Sequence, residues 1–397
     1  MLCVLLKYIE CNASKLSIQI VLAVLLTGCG SNSDSQESEQ LISTDDYNWP
    51  LRNGFPKPTV PASNPMTDEK VALGRYLFYD KNLSFNQQQA CADCHRQEFA
   101  FSVNQSVMAG SSGDPGRRNP STLVNIAYNK TLTWSHSNLK TIESQILIPM
   151  FGEDPVELGI TNHQDEVLQR IKSASYATLF EQAFPQKDIT FNEINQALAS
   201  FVRSLISLDA PFDRYAYDGD DSALTESQIN GMNLFFSEKF ECHHCHGGFN
   251  FTQSTFHEKQ LLDRKPFHNI GLYNVNNKNQ YPEDDRGLEE ITTLVKDNGR
   301  FRAPSLRNVA VSGPYMHDGS IETLEQVIEM YAAGGRVIKS GKLQGDGRIN
   351  ALKNPLVKGI DMTDQEKKDL LSFLQSLTDQ KFLTNQDFSD PFKSAGR

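Results

Sequence analysis

The pattern of apolar and polar positions predicts helices joined by long loops from Tyr47 onward, with strand-like alternation scarce. One helix is predicted from about Thr67 to Phe78, opened by Thr67-Asp68-Glu69 and carrying Gly74-Arg75-Tyr76-Leu77-Phe78. A second opens at Thr225-Glu226-Ser227 and carries Gly231-Met232-Asn233-Leu234-Phe235. A third, Thr363 to Leu377, sets Leu370, Leu371, Phe373, Leu374 and Leu377 on one packing face. Ahead of Tyr47 the pattern changes. Residues 16–28 form an apolar run after Lys15, too short for a comfortable membrane span, and SNSDSQESEQ beyond it has no periodicity and reads as a tether.

The chain repeats itself. A glycine followed three residues later by Leu-Phe stands in both halves, and Arg118-Asn119-Pro120-Ser121 resembles Arg302-Ala303-Pro304-Ser305. Trp134-Ser135-His136 matches Tyr315-Met316-His317, and Thr141-Ile142-Glu143 matches Thr323-Leu324-Glu325. Such a repeat predicts two tandem cytochrome c-like domains of a mainly α protein, here residues 47–215 and 216–397. The stretch Tyr217 to Ala223 reads as the linker.

A length of 397 residues suffices for two cores. The net charge of −11 argues against a nucleic-acid partner. Of seven cysteines, Cys3, Cys11 and Cys29 lie near the start and the other four fall in two motifs, which leaves no pair for a disulfide in the body. Leu26-Thr27-Gly28-Cys29 resembles a bacterial lipoprotein box, with residues 1–29 as signal, Cys29 as lipidation site and residues 30–46 as tether. The expected location is the periplasm, anchored at the outer membrane. A plain cleaved signal peptide is the alternative.

The two motifs are Cys91-Ala92-Asp93-Cys94-His95 and Cys242-His243-His244-Cys245-His246. C-x-x-C-H is the attachment signature of c-type haem: both thiols add to the porphyrin vinyl groups and the histidine ligates the iron. Two knuckles could instead build a zinc site. The histidine following each knuckle favours two haems.

The repeat also addresses the second axial ligands. Aligning Thr141 with Thr323 sets Pro149 against Tyr331. Proline has no donor atom, so the first haem is expected to keep an open face where peroxide could bind. At the second haem Tyr331 and Met330 lie about 100° apart on a helix, so only one can face the iron. The repeat favours Tyr331, with Met330 and Met316 as thioether rivals. A phenolate favours ferric or higher iron, whereas a thioether raises the potential.

These residues resemble the bacterial di-haem cytochrome c peroxidase superfamily over roughly residues 50–380, through LGRYLFYDKNLS, CADCH, RRNPSTLVN, ECHHCH and FRAPSLRNVAVSGPYMHDGSIETLEQVI. Tyr331 in place of a methionine looks like the MauG branch. PMFGEDPVELG and ECHHCHGGFNFT look closer to methanobactin-associated di-haem enzymes, which convert a tryptophan of a small copper-binding lipoprotein to kynurenine. The resemblance implies distal-pocket roles for Gln145 and Glu157, with Glu153 a rival for the acid-base role. It implies an electron relay at Trp134, whose plainer reading is a core aromatic. It also implies a calcium ion between the domains, held by Asn119 and the carbonyls of Ser312 and Pro314. His317 reads as a structural or propionate contact, and Trp49 has no assigned role.

The expected protein is therefore a periplasmic di-haem peroxidase. In it, hydrogen peroxide generates a high-valent haem state that oxidises a residue of a partner protein. The alternatives are a cytochrome c peroxidase drawing electrons from a small cytochrome, and a non-enzymatic di-haem electron carrier.

Overall fold

The two glycines of the repeat sit at two equivalent helix crossings. A Cβ on Gly74 would lie 2.0 Å from the Ala197 carbonyl oxygen, and one on Gly231 would lie 1.9 Å from that of Asp369. The backbones approach so closely that only hydrogen fits. The computed structural model describes residues 47–257 and 266–394. The expected signal and tether, including Cys29, lie outside the described residues.

The first half builds α1 (Asp68–Tyr79), α2 (Cys91–Cys94), α3 (Ile142–Phe151), α4 (Gln164–Lys172), α5 (Thr178–Ala183) and α6 (Phe191–Ser204). The second builds α7 (Pro211–Asp218), α8 (Glu226–Phe235), α9 (His243–His246), α10 (Glu289–Thr292), α11 (Leu324–Ala333), α12 (Asp364–Gln375), α13 (Gln380–Thr384) and α14 (Pro391–Ser394). Two antiparallel two-residue ladders, Phe267–His268 with Phe301–Arg302 and Val337–Ile338 with Gly345–Asp346, are the strands among the described residues. The protein is mainly helical, as the pattern predicts.

Threonine starts the principal helices. Thr67, Thr141, Thr225, Thr323 and Thr363 each accept a hydrogen bond from a first-turn amide, satisfying a donor that the helix itself cannot pair. The predicted boundaries at Thr67, Thr225 and Thr363 coincide with these caps. Each half then packs an aromatic trio at its crossing: Phe78, Phe101 and Phe201 in one, Phe235, Phe251 and Phe373 in the other. Burial of each such ring is worth about 1.5–3 kcal/mol. In the second half Arg307 and Asp213 form a fully buried pair, two parallel hydrogen bonds of 2.8 Å that lock α7 onto the haem-motif loop.

The halves do not separate cleanly at residue 216. That position lies inside α7, whose Phe212 belongs to the second core, while Leu205 belongs to the first. Beyond Leu377 the chain returns, and Phe382 and Phe388 complete the first core. Trp49 is also a core residue, buried with Val60, Met66, Tyr128, Ile206 and Leu208. Among the described residues no helix is long and apolar enough to cross a membrane.

Candidate active site

Each C-x-x-C-H motif forms one helical turn that leads directly into a loop whose carbonyls receive its histidine. His95 Nδ1 lies 2.8 Å from the Phe101 carbonyl, and His246 Nδ1 lies 3.2 and 3.1 Å from those of Phe251 and Pro304. A carbonyl can only accept, so Nδ1 carries the proton and Nε2 keeps a lone pair for a metal. Burial pulls both imidazoles below their ordinary pKa, which preserves that neutral form. None of the four motif cysteines forms a disulfide, and burial pushes Cys91 and Cys242 up to about 12 and Cys94 and Cys245 to about 11.

These features fit covalent haem. The zinc alternative does not survive: Cys91 packs on the first core and Cys242 on the second, and the four sulfurs do not converge. Arg302, which the sequence reading left without a role, adds to the fit. Its guanidinium is buried, donates through Nε to the Thr133 carbonyl at 2.7 Å, and forms no ion pair among the described residues. Burial lowers its pKa to about 10. Such a cation suits an anionic group like a haem propionate. Its alignment with Arg118 was the signal available, but Arg118 instead pairs with Asp285 at 2.6 Å.

Around the first motif, Gln145 and Pro149 share one face of α3 at i, i+4. The Gln145 Oε1 atom is buried with no hydrogen-bond partner. Pro149 accepts from the Leu158 amide, and the Ser111 amide holds the Glu157 carbonyl, both at 2.8 Å. This pinning turns Glu157 toward the motif, where its carboxylate acts electrostatically on both Cys91 and Cys94. Glu157 is solvent-accessible yet surrounded by protein atoms, and that desolvation raises its carboxyl pKa. Glu153 lies exposed in the preceding turn.

Around the second motif, α11 carries Met330 and Tyr331 side by side. Met330 is buried in an aromatic cluster with Leu272, Tyr273, Tyr281, Phe301 and Ile321. Tyr331 packs against that same cluster, and its phenol is raised above its ordinary pKa, first by burial and then by the charges of Cys245 and Cys242. Met316 stands in the same cluster as Met330. His317 stacks on Phe301 with centroids 3.5 Å apart and sits 3.6 Å from Asp285, a packing role.

Trp134 connects the halves. The Leu132 amide donates to the Leu139 carbonyl at 2.9 Å, and both residues belong to the first core. Between them the loop reaches out and packs Trp134 into the cluster holding Met330 and Tyr331. Its indole Nε1 donates to the Asn119 carbonyl at 2.8 Å. Asn119 is itself buried at the junction, with its amide on the His317 carbonyl and its side chain on those of Gln105 and Ser106. Pro314 lines a neighbouring cleft of about 900 Å³ with Asn104, Ser106 and Asp318, while Ser312 turns its amide and hydroxyl back onto Val309 at 3.4 Å.

Comparisons with known proteins point the same way. Residues 68–222 match the family model described as di-haem cytochrome c peroxidase. The chain is 34% identical over 337 residues to the methylamine utilization protein MauG of Methylophilus methylotrophus, covering 83% of this chain and 89% of that one. It is 31% identical over 384 residues to the cytochrome-c peroxidase IdrP1 of a Pseudomonas strain, covering 92% of each. Among solved structures, a MauG-like protein associated with microbial copper homeostasis superposes with a TM-score of 0.85 at 44% identity, covering 87% of this chain and 99% of that one.

Proposed function

Because the chain belongs to the di-haem cytochrome c peroxidase family, which includes MauG, we propose that this peroxidase-type oxidoreductase uses hydrogen peroxide to oxidise a residue of a partner protein. The observation that carries this reading is Tyr331, which holds in α11 the place Pro149 holds in α3 and is buried within electrostatic reach of Cys245 and Cys242. In this reading the two halves are tandem cytochrome c-like domains that meet ahead of α7, with the chain beyond Leu377 returning to the first. Cys91, Cys94 and His95 hold one c-type haem, and Cys242, Cys245, His246 and Tyr331 hold the other. When bound, the haems supply the redox chemistry that reduces peroxide to water and leaves two oxidising equivalents on the pair.

The chain's own residues do the rest. Pro149 places no ligand over the first site. The unpartnered Gln145 Oε1 accepts a peroxide O–H and fixes its orientation. Glu157, its carboxyl raised by burial, takes up one peroxide proton and returns it to the departing oxygen as water forms. Trp134, inserted from the first core into the Tyr331 cluster, passes an electron between the halves. A calcium ion at Asn119, Ser312 and Pro314 would hold that junction. We place the protein in the periplasm, anchored through Cys29.

The likeness to a MauG-like protein associated with copper homeostasis supports a copper-binding partner, with conversion of a tryptophan to kynurenine as the finer reading. The test is to incubate the holoprotein and peroxide with a small, tryptophan-bearing copper-binding lipoprotein and follow the partner by mass spectrometry. Peroxide-dependent modification of tryptophan is expected, and its loss with Tyr331→Phe. The likeness to a cytochrome-c peroxidase supports a second reading. Rapid oxidation of a reduced small cytochrome c, with the partner unmodified, would favour it.

A further inference from the structure

The turn that carries the second haem motif gathers a second set of metal-binding side chains on its outer face. His243 and His244, the two residues between the cysteines, lie with ring centroids 4.2 Å apart and planes 33° apart. Both present Nε2 to one carboxylate: His243 lies 3.8 Å from Glu238 Oε1, and His244 lies 3.5 Å from Glu238 Oε2. His244 Nε2 is also 2.8 Å from Glu241. We propose that Glu238, His243 and His244 bind one divalent transition-metal ion.

The distances fit such an ion. Metal–nitrogen and metal–oxygen bonds of about 2.0–2.2 Å around a tetrahedral centre set neighbouring donors roughly 3.4 Å apart. The Glu238 contacts of 3.5 and 3.8 Å lie near that edge, and the donor atoms of Glu238, His243 and His244 all fall within 4.8 Å of one another. His243 Nδ1 is buried without a hydrogen-bond partner, so whatever this imidazole binds lies on its Nε2 side. Glu238 is 82% exposed, which leaves the site open to an ion from solution. Two imidazoles with carboxylate oxygen suit Cu²⁺, Zn²⁺ or Ni²⁺, with Cu²⁺ bound most tightly, and do not suit Mg²⁺ or Ca²⁺.

Haem attachment does not explain these residues. The first motif has Ala90, Ala92 and Asp93 where the second has Glu241, His243 and His244, and it folds into the same turn. There Asp93 bends back to accept from the Ala90 amide at 2.8 Å. His244, in the matching position, faces two carboxylates instead. The cluster is thus an addition to one copy of a duplicated motif, on the strand of chain that joins both sulfurs of the second haem.

The experiment is a titration of the chelator-treated holoprotein with Cu²⁺ alone, followed by calorimetry and EPR. One equivalent should bind with nitrogen hyperfine coupling from two imidazoles, and it should displace Zn²⁺ loaded beforehand. Glu238→Gln lies outside the attachment motif and should weaken binding at least about tenfold with haem content unchanged. His244→Gln should remove the coupling from one imidazole. No uptake by the wild type would overturn the assignment, as would an isotherm and spectrum unaltered by both substitutions.

Discussion

Pro149 and Tyr331 stand at the same place in matching helices, each eight residues beyond its capping threonine, Thr141 or Thr323. A glycine follows three residues later in both, Gly152 and Gly334, as the C-cap. One position of one helix therefore offers a phenol in the second half and no donor at all in the first. In the proposed reading that difference would make two motifs with the same attachment chemistry unequal: one site open to a small oxidant, the other closed by a hard anionic ligand.

Tyr331→Phe removes only the hydroxyl and should convert the second haem from low-spin to high-spin in the EPR spectrum, with partner oxidation abolished. Met330→Leu conserves volume in the aromatic cluster and should leave that spectrum unchanged. The reverse outcome would make Met330 the ligand.

Glu157→Gln should slow the reaction with peroxide by about 10²–10⁴-fold, whereas Glu153→Gln should not. The pH profile carries the sign. Burial raises the Glu157 carboxyl, so it keeps its proton to higher pH than a surface carboxylate. The base form, and the wild-type rate, should then rise as pH passes upward through that raised value. Stopped-flow rates for Glu157→Gln should lose this limb.

Trp134→Phe keeps an aromatic ring in the cluster but removes the hydrogen bond to Asn119, at a stability cost of about 1 kcal/mol. Peroxide consumption at the first site should continue while oxidation of the partner falls. Equal loss of both activities would reduce Trp134 to a core residue.

Gly231→Ala forces a methyl against the Asp369 carbonyl and should destabilise the holoprotein by about 1–3 kcal/mol or more, read from denaturant unfolding. Gly74→Ala should do the same against Ala197.

Much of this was legible because it is local or repeated. The threonine caps announce their helices, and C-x-x-C-H announces its chemistry. Duplication allowed Pro149 to be compared with Tyr331 before any contact was known. The reason for Gly74 and Gly231 was not legible, since their partners Ala197 and Asp369 lie more than a hundred residues away. The return of Phe382 and Phe388 to the first core was hidden too: short helical segments in a tail carry no periodicity to assign them. Glu157 and Glu153 looked alike in sequence, and only the Ser111 contact that turns the 157–160 segment distinguishes them. Arg302 was seen as part of a motif but not as a buried cation with no carboxylate partner among the described residues.

The most direct measurement is an optical and EPR titration of the purified di-ferric protein with hydrogen peroxide before any reductant is added. An open first site paired with a Tyr331-ligated second haem predicts that the high-spin signal disappears promptly, with spectral changes at both haems that persist. No reaction until one haem has been reduced would contradict the account and point to an ordinary cytochrome c peroxidase.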